Sequence, residues 1–284
     1  MKLCRFIHRG HRRVGLLEPG GAVADLTAAG IHSLADLLET GDAGAQLTAL
    51  DLGELPRHPL KAVRLLAPVE RQEVWAAGVT YLRSKKARME ESQFSATAYD
   101  RVYEAARPEL FFKSLAEKVA GPGEKVGIRA DARWSVPEPE LALVLNSRGQ
   151  VAGVTIGNDM SARDIEGENL LYLPQAKIYR GSCALGPVIC AGASEAEVRA
   201  WTIDLVILRE GEKVFAGSAS PGNLKRSFQE LADYLFRSQS FPHGAVLLTG
   251  TGIVPPDQFT LQPGDVVQIT ISGLGTLENT VTQV

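Results

Sequence analysis

The chain has 284 residues, 45% of them hydrophobic and 22% charged, enough length and apolar content for a proper buried core. Thirty basic residues against thirty-three acidic ones leave a net charge of −3, so the basic excess that a general nucleic-acid binder needs is absent. No apolar run approaches the roughly 20 residues that cross a bilayer, Arg5 and His8 break the apolar start, and three scattered cysteines (Cys4, Cys183, Cys190) suit neither a disulfide framework nor a thiolate zinc site. What remains is a cytoplasmic globular protein of enzyme size, with neither nucleic acid nor membrane as partner.

Residues 1–65 read as a small N-terminal domain and 66–284 as the main one. In the first, Lys2 to His8 and Arg13 to Leu17 are short strands, Glu18-Pro19-Gly20-Gly21 supplies a turn, and Ala22 to Leu26 is a third strand. Ser33 is a candidate N-cap for a helix carrying Leu34, Leu37 and Leu38 on one face. From Leu52 to Ala67, Pro56 and Pro59 suit an extended connector whose polar half is linker and whose end, VRLLAPV, enters the next domain. Beyond it, β-branched runs of strand length recur (EVWAAGV, LALVLN, VAGVTIGN, TIDLVILR, AVLLTG, VVQITISG), separated by glycine and proline. Helical patterns are fewer: Thr80 to Glu91, Ser161 to Glu168 and Ser227 to Phe236. The fold class is mainly β with some α.

Candidate chemistry concentrates in a few places. Val136-Pro137-Glu138-Pro139-Glu140 precedes an apolar strand, and carboxylates at i and i+2 of an extended segment point to the same side. Like charges so placed need solvent, a basic group or a cation beside them. Asp159 ends the run VAGVTIGN just before a helix start, where it reads either as a helix cap or as a third oxygen ligand. Glu138, Glu140 and Asp159 together would suit a hard cation, Mg²⁺ or Mn²⁺, and with no Cys/His cluster zinc is disfavoured. Lys177 stands among small and polar residues, and a lysine beside a divalent cation can serve as a base. Arg163 and Asp164 are placed to pair with each other. Thr249-Gly250-Thr251-Gly252 is either a tight turn or a cradle for a carboxylate, and no phosphate-binding glycine loop is present. The basic cluster Arg83, Lys85, Lys86 and Arg88 reads as a helix face balanced by Glu90 and Glu91.

The motifs GVTY (78–81), RPELFFK (107–113), VPEPEL (136–141), NDMSARDIEGEN (158–169), LPQAKIYRGSCALGP (173–187), TGTG (249–252) and GDVVQITISGLGTLENTV (264–281) follow one another in order. Together they closely resemble the fumarylacetoacetate hydrolase family over residues from about 70 to 284. The resemblance implies a fumarylacetoacetate hydrolase-like mixed β fold with a small N-terminal α/β domain. It also implies a divalent metal, usually Mg²⁺, on Glu138, Glu140 and Asp159, with Lys177 as the active-site lysine and Arg163 as the signature arginine. Acylpyruvate hydrolase members carry a His–Glu pair where this sequence has Ser84 and Ala87. The text around GVTY and RPELFFK instead resembles the branch that contains 2-keto-3-deoxy-D-arabinonate dehydratase, in which a glutamate matching Glu109 accompanies the lysine.

The implied activity is a metal-dependent dehydration of a 2-keto-3-deoxy sugar acid to 2,5-dioxopentanoate, with Lys177 and Glu109 exchanging protons with substrate. Arg163, Ser84, Tyr81, Thr251 and Gly250 are the expected substrate-binding residues of the small-molecule 2-oxo acid, and the expected assembly is a homodimer or homotetramer. The alternatives are C–C bond hydrolysis of an acylpyruvate or diketo acid, and a non-catalytic oxo-acid binding protein.

Overall fold

The computed structural model describes residues 1–40, 43–48, 52–82 and 101–284. In chain order its strands are β1 (Lys2–His8), β2 (His11–Leu17), β3 (Ala22–Asp25), β4 (Arg57–Pro59), β5 (Arg64–Leu66), β6 (Glu73–Gly78), β7 (Glu109–Ser114), β8 (Lys125–Ile128) and β9 (Ser135–Val136). There follow β10 (Pro139–Leu145), β11 (Val151–Asp159), β12 (Ser161–Ala162), β13 (Cys183–Ala191), β14 (Ile203–Arg209), β15 (Glu212–Ala219), β16 (Ala245–Thr251), β17 (Val266–Ile271) and β18 (Gly275–Gln283). The helices used below are α1 (Leu34–Glu39), α2 (Ala43–Thr48), α3 (Arg163–Glu168), α4 (Leu173–Lys177), α5 (Glu195–Arg199) and α6 (Phe228–Phe236).

One large sheet runs β4-β3-β2-β1-β13-β11-β10-β16-β6-β7, with β5 added alongside β1; a second runs β15-β14-β17-β18-β8. Pairing is antiparallel except for β16 with β6 and β18 with β8. β10 lies between β11 and β16 in the middle of the large sheet, and all its residues are buried, so both of its faces are apolar from Leu141 onward. Alternation along it divides the core. Leu141, Leu143 and Leu145 pack with Leu205, Ile269 and Leu277 of the second sheet and with Phe228 and Leu231 of α6. Ala142 and Val144 pack on the opposite side with Leu34 and Leu38 of α1 and Leu47 of α2.

Ser33 caps α1, accepting from the Asp36 amide, and Ser227 caps α6 in the same way through Glu230, as a serine before an amphipathic run does. The proline-rich segment departs from expectation. Rather than linking outward, Arg57–Pro59 pairs with β3, and Arg64–Leu66 turns back on β1 with Arg5 opposite Leu66. Pro59 is tolerated in β4 because that strand lies at the edge of the large sheet. The N-terminal strands join the rest of the sheet where Lys2 and Leu3 face Cys190 and Ile189. The helix expected over Thr80–Glu91, with the basic cluster and Ser84, lies outside the described residues from position 83 on.

Candidate active site

The site grows out of the β10–β11 pair. Just ahead of β10, Glu138 and Asp159 exchange both backbone hydrogen bonds, Glu138 N to Asp159 O at 3.2 Å and Asp159 N to Glu138 O at 3.0 Å. Residues so opposed send their side chains to one face, and Glu140, two further along, joins them. Carboxylate oxygens of Glu138, Glu140 and Asp159 all lie within 4.8 Å of one another, and all three residues are buried. The face that is apolar at Ala142 and Val144 thus becomes acidic at its end.

Glu140 faces Thr251 on β16, where the register shifts at a bulge that includes Gly250. Gly250 has φ of +94°, and a Cβ there would come 2.0 Å from Thr80 Oγ1 and 3.1 Å from the Ala77 carbonyl. The bulge aims the Gly250 amide at Glu140 Oε2, 2.5 Å away. Burial raises the Glu140 pKa well above its ordinary value, helped by the charges of Asp159 and Glu138, while the Gly250 amide and Lys177 oppose the rise.

Three cations contact two of the three carboxylates, Glu138 and Asp159. Lys177, at the end of α4 and 2% exposed, donates to Glu138 Oε2 at 2.8 Å, Asp159 Oδ2 at 3.1 Å and Ser161 Oγ at 2.6 Å. Arg163, at the start of α3, pairs with Glu138 Oε1 at 2.9 Å. Lys113 on β7 forms an ion pair with Asp159 Oδ1. The expected Arg163–Asp164 pairing gives way to this arrangement: Asp164 accepts instead from the Arg133 amide at 2.7 Å.

The carboxylates open on a narrow cleft lined by Ala77, Val79, Glu109, Phe111, Glu166, Lys177 and Thr251, among others. Glu109 and Glu166 also border a second hollow with Arg107, Leu170 and Leu173. Gly78 makes room for Glu109, since a Cβ at 78 would fall 1.9 Å from Glu109 Oε2. Val79 has φ of +53°, costly for a β-branched residue, and such strain gathers at functional sites. Burial pushes the Cys183 thiol, opposite Asp159, up to about 12, so it is no nucleophile at neutral pH.

Of the expected site residues, Glu138, Glu140, Asp159, Lys177, Glu109, Gly250 and Thr251 therefore converge on one cleft. Arg163 reaches it through Glu138. Tyr81 is buried against a separate cavity with Gly252 and Tyr103, its hydroxyl pKa raised by burial. Ser84 lies outside the described residues. Lys113, Ser161 and Glu166 were not anticipated from the sequence. In E-L-F-F-K two charged residues, Glu109 and Lys113, bracket an apolar stretch of strand length, the one signal the sequence offers for Lys113.

The family model of the fumarylacetoacetate (FAA) hydrolase C-terminal region matches residues 73–282. The chain belongs to the fumarylacetoacetate hydrolase family. Within it, the chain is 39% identical over 282 residues to a 2-dehydro-3-deoxy-D-arabinonate dehydratase of Saccharolobus solfataricus, covering 98% of this chain and 95% of that one. It is 46% identical over 217 residues to a probable 2-keto-3-deoxyxylonate dehydratase of Haloferax volcanii, covering 76% and 74%. The fumarylacetoacetate hydrolase fold here superposes on a 2-keto-3-deoxy-D-arabinonate dehydratase complexed with magnesium and 2,5-dioxopentanoate, with a TM-score of 0.84, 34% identity, and coverage of 100% and 99%. The mainly β class expected from the sequence is thereby borne out.

The residues present fit a hard divalent cation. The donors are all carboxylate oxygens, they are buried and preorganised by backbone pairing, and two of them already hold a compact cation, the Lys177 ammonium. No helix among the described residues is long and apolar enough to cross a membrane.

Proposed function

We propose that the protein is a Mg²⁺-dependent dehydratase of a 2-keto-3-deoxy sugar acid, with 2,5-dioxopentanoate the product from a pentonate. The observation that carries this reading is the buried Glu138–Glu140–Asp159 cluster with Lys177 bridging it, in a chain similar to a dehydratase complexed with magnesium and that product. Glu138, Glu140 and Asp159 would hold the ion, which when bound supplies Lewis acidity to a 2-oxo acid. Mn²⁺ suits the same oxygen donors.

Lys177 takes a proton from C3 of the substrate, and Glu109, across the cleft, delivers one to the departing C4 hydroxyl. Loss of water leaves a C3=C4 double bond conjugated with the C2 carbonyl. Transfer of a proton from C5 to C3 then gives the C5 enol, which ketonises at C4 to the aldehyde. Gly250 and Thr251 line the substrate's place, and Arg163 steadies Glu138 from behind. The unit 66–284 is the catalytic domain in this reading, since every residue lining the cleft falls between Ala77 and Thr251, and 1–65 is a small N-terminal domain. Assembly as a homodimer or homotetramer in the cytoplasm completes it, in keeping with Leu171, 84% exposed beside Leu170 and Tyr172.

The test is a product assay with purified protein, Mg²⁺ and 2-keto-3-deoxy-D-arabinonate, in which 2,5-dioxopentanoate is followed through a coupled aldehyde dehydrogenase. Product that disappears with EDTA and in Lys177→Ala is the expected result. No product, with turnover of an acylpyruvate instead, would move the enzyme to C–C bond hydrolysis, a weaker reading because Ser84 and Ala87 replace the hydrolytic His–Glu pair.

A further inference from the structure

Lys113 is 0% exposed, a rare state for a lysine, and it does not line the acidic cleft. Its position in the sheet is irregular. Phe112 faces Trp75 and Ser114 faces Val74, so Lys113 is the extra residue of a bulge on β7. Bulges re-aim a side chain, and this one directs an ammonium at the back of the acid cluster.

An ammonium has three N–H donors, and two of those on Lys113 are given to backbone carbonyls. They go to the Met160 carbonyl at 3.1 Å and the Lys177 carbonyl at 2.5 Å, and the ammonium also forms an ion pair with Asp159 Oδ1. Fully buried and with no face on the cleft, Lys113 is unsuited to exchanging protons with a substrate. What it touches is the set of groups whose mutual placement matters: a carboxylate of the cluster, the backbone just after it, and the end of α4, where Lys177 sits. The two oxygens of Asp159 are divided between the lysines, Oδ1 to Lys113 and Oδ2 to Lys177.

We propose that, given a divalent cation on Glu138, Glu140 and Asp159 as inferred above, Lys113 is a positioning residue that fixes Asp159 Oδ1 and the Lys177 backbone together. Asp159 Oδ2 is thereby turned toward the cleft, and the distance between metal ligand and lysine is set. Removing the groups that orient a metal ligand costs roughly 10- to 100-fold in affinity or activity.

Isothermal titration of Mg²⁺ into EDTA-stripped wild type, Lys113→Met and Lys113→Gln provides the test, with circular dichroism to verify folding. The expected result is a Mg²⁺ dissociation constant raised about 10- to 100-fold in Lys113→Met, less in Lys113→Gln, which keeps a donor, and a fall in kcat at saturating Mg²⁺. A purely structural lysine would lower the melting temperature and leave the dissociation constant alone. An unaltered constant in the folded variant overturns the role of Lys113, whereas no binding by wild type would overturn the metal reading itself and this role with it.

Should neither variant fold, ¹⁵N-lysine NMR of wild type decides. The slowly exchanging ammonium signals of the two buried lysines, 113 and 177, should both move on adding Mg²⁺. One that stays in place overturns the proposal.

Discussion

Gly78→Ala isolates the position of Glu109 from its chemistry. The added methyl carbon would sit 1.9 Å from Glu109 Oε2 and 2.8 Å from its carboxyl carbon, whereas ordinary contact begins near 3.4 Å. The carboxylate must therefore retreat by about 1.5 Å, the difference between 3.4 and 1.9 Å. Misplacing a reacting group by about 1 Å can cost on the order of 10²-fold in rate, and losing acid–base help altogether costs roughly 10²–10⁴. The expected kcat of Gly78→Ala is thus down about 10²-fold. Stability should hold, because the clash falls on the end of a flexible side chain and alanine in a strand gains about 0.5–1 kcal/mol over glycine. The coupled aldehyde assay reads the first quantity and thermal unfolding the second. Wild-type kcat in a folded Gly78→Ala would refute the assignment of Glu109, as its observed position could not then matter.

Further expectations concern the acid cluster. Glu140→Gln imitates the protonated state that burial favours, so the metal-free variant should melt at or above the wild-type temperature. It should also lose Mg²⁺-dependent stabilisation, which at 100 times the dissociation constant amounts to about 2.7 kcal/mol. Because the folded pKa of Glu140 lies above its ordinary 4.5, the folded state binds more protons there, and stability in EDTA should fall as pH rises from 4.5 through the folded value. Melting curves across that range check the sign, and a rise attributable to Glu140 would contradict it. Gly250→Ala combines a left-handed φ with a 2.0 Å approach to Thr80 Oγ1, so destabilisation beyond about 1 kcal/mol is expected in denaturant titrations.

Much of this was legible in the sequence, and for identifiable reasons. Glu138 and Glu140 share a face because strands alternate, and Ser33 and Ser227 cap helices because local hydrogen bonding decides caps. What was not legible depended on register. That Asp159 lies opposite Glu138, and that Gly250 aims an amide at Glu140, follow from which strands pair and where bulges fall. The connector's place is hidden for the same reason: prolines announce an extended chain but not the strand it adds to. Adjacency in sequence points Arg163 to Asp164, while the fold offers it Glu138. Lys113 ends an apolar run, and the bulge that aims it follows from strand pairing rather than from alternation.

The mutual backbone bonds of Glu138 and Asp159 belong to no particular side chain. Exchanging either carboxylate leaves the frame closed, so the central sheet carries its chemistry as detachable fittings. A lineage built on such a frame can replace one fitting at a time and pass from one reaction to another without ever refolding its centre. The amides of these two residues should in turn be among the slowest in the molecule to exchange with solvent, whatever the cleft contains.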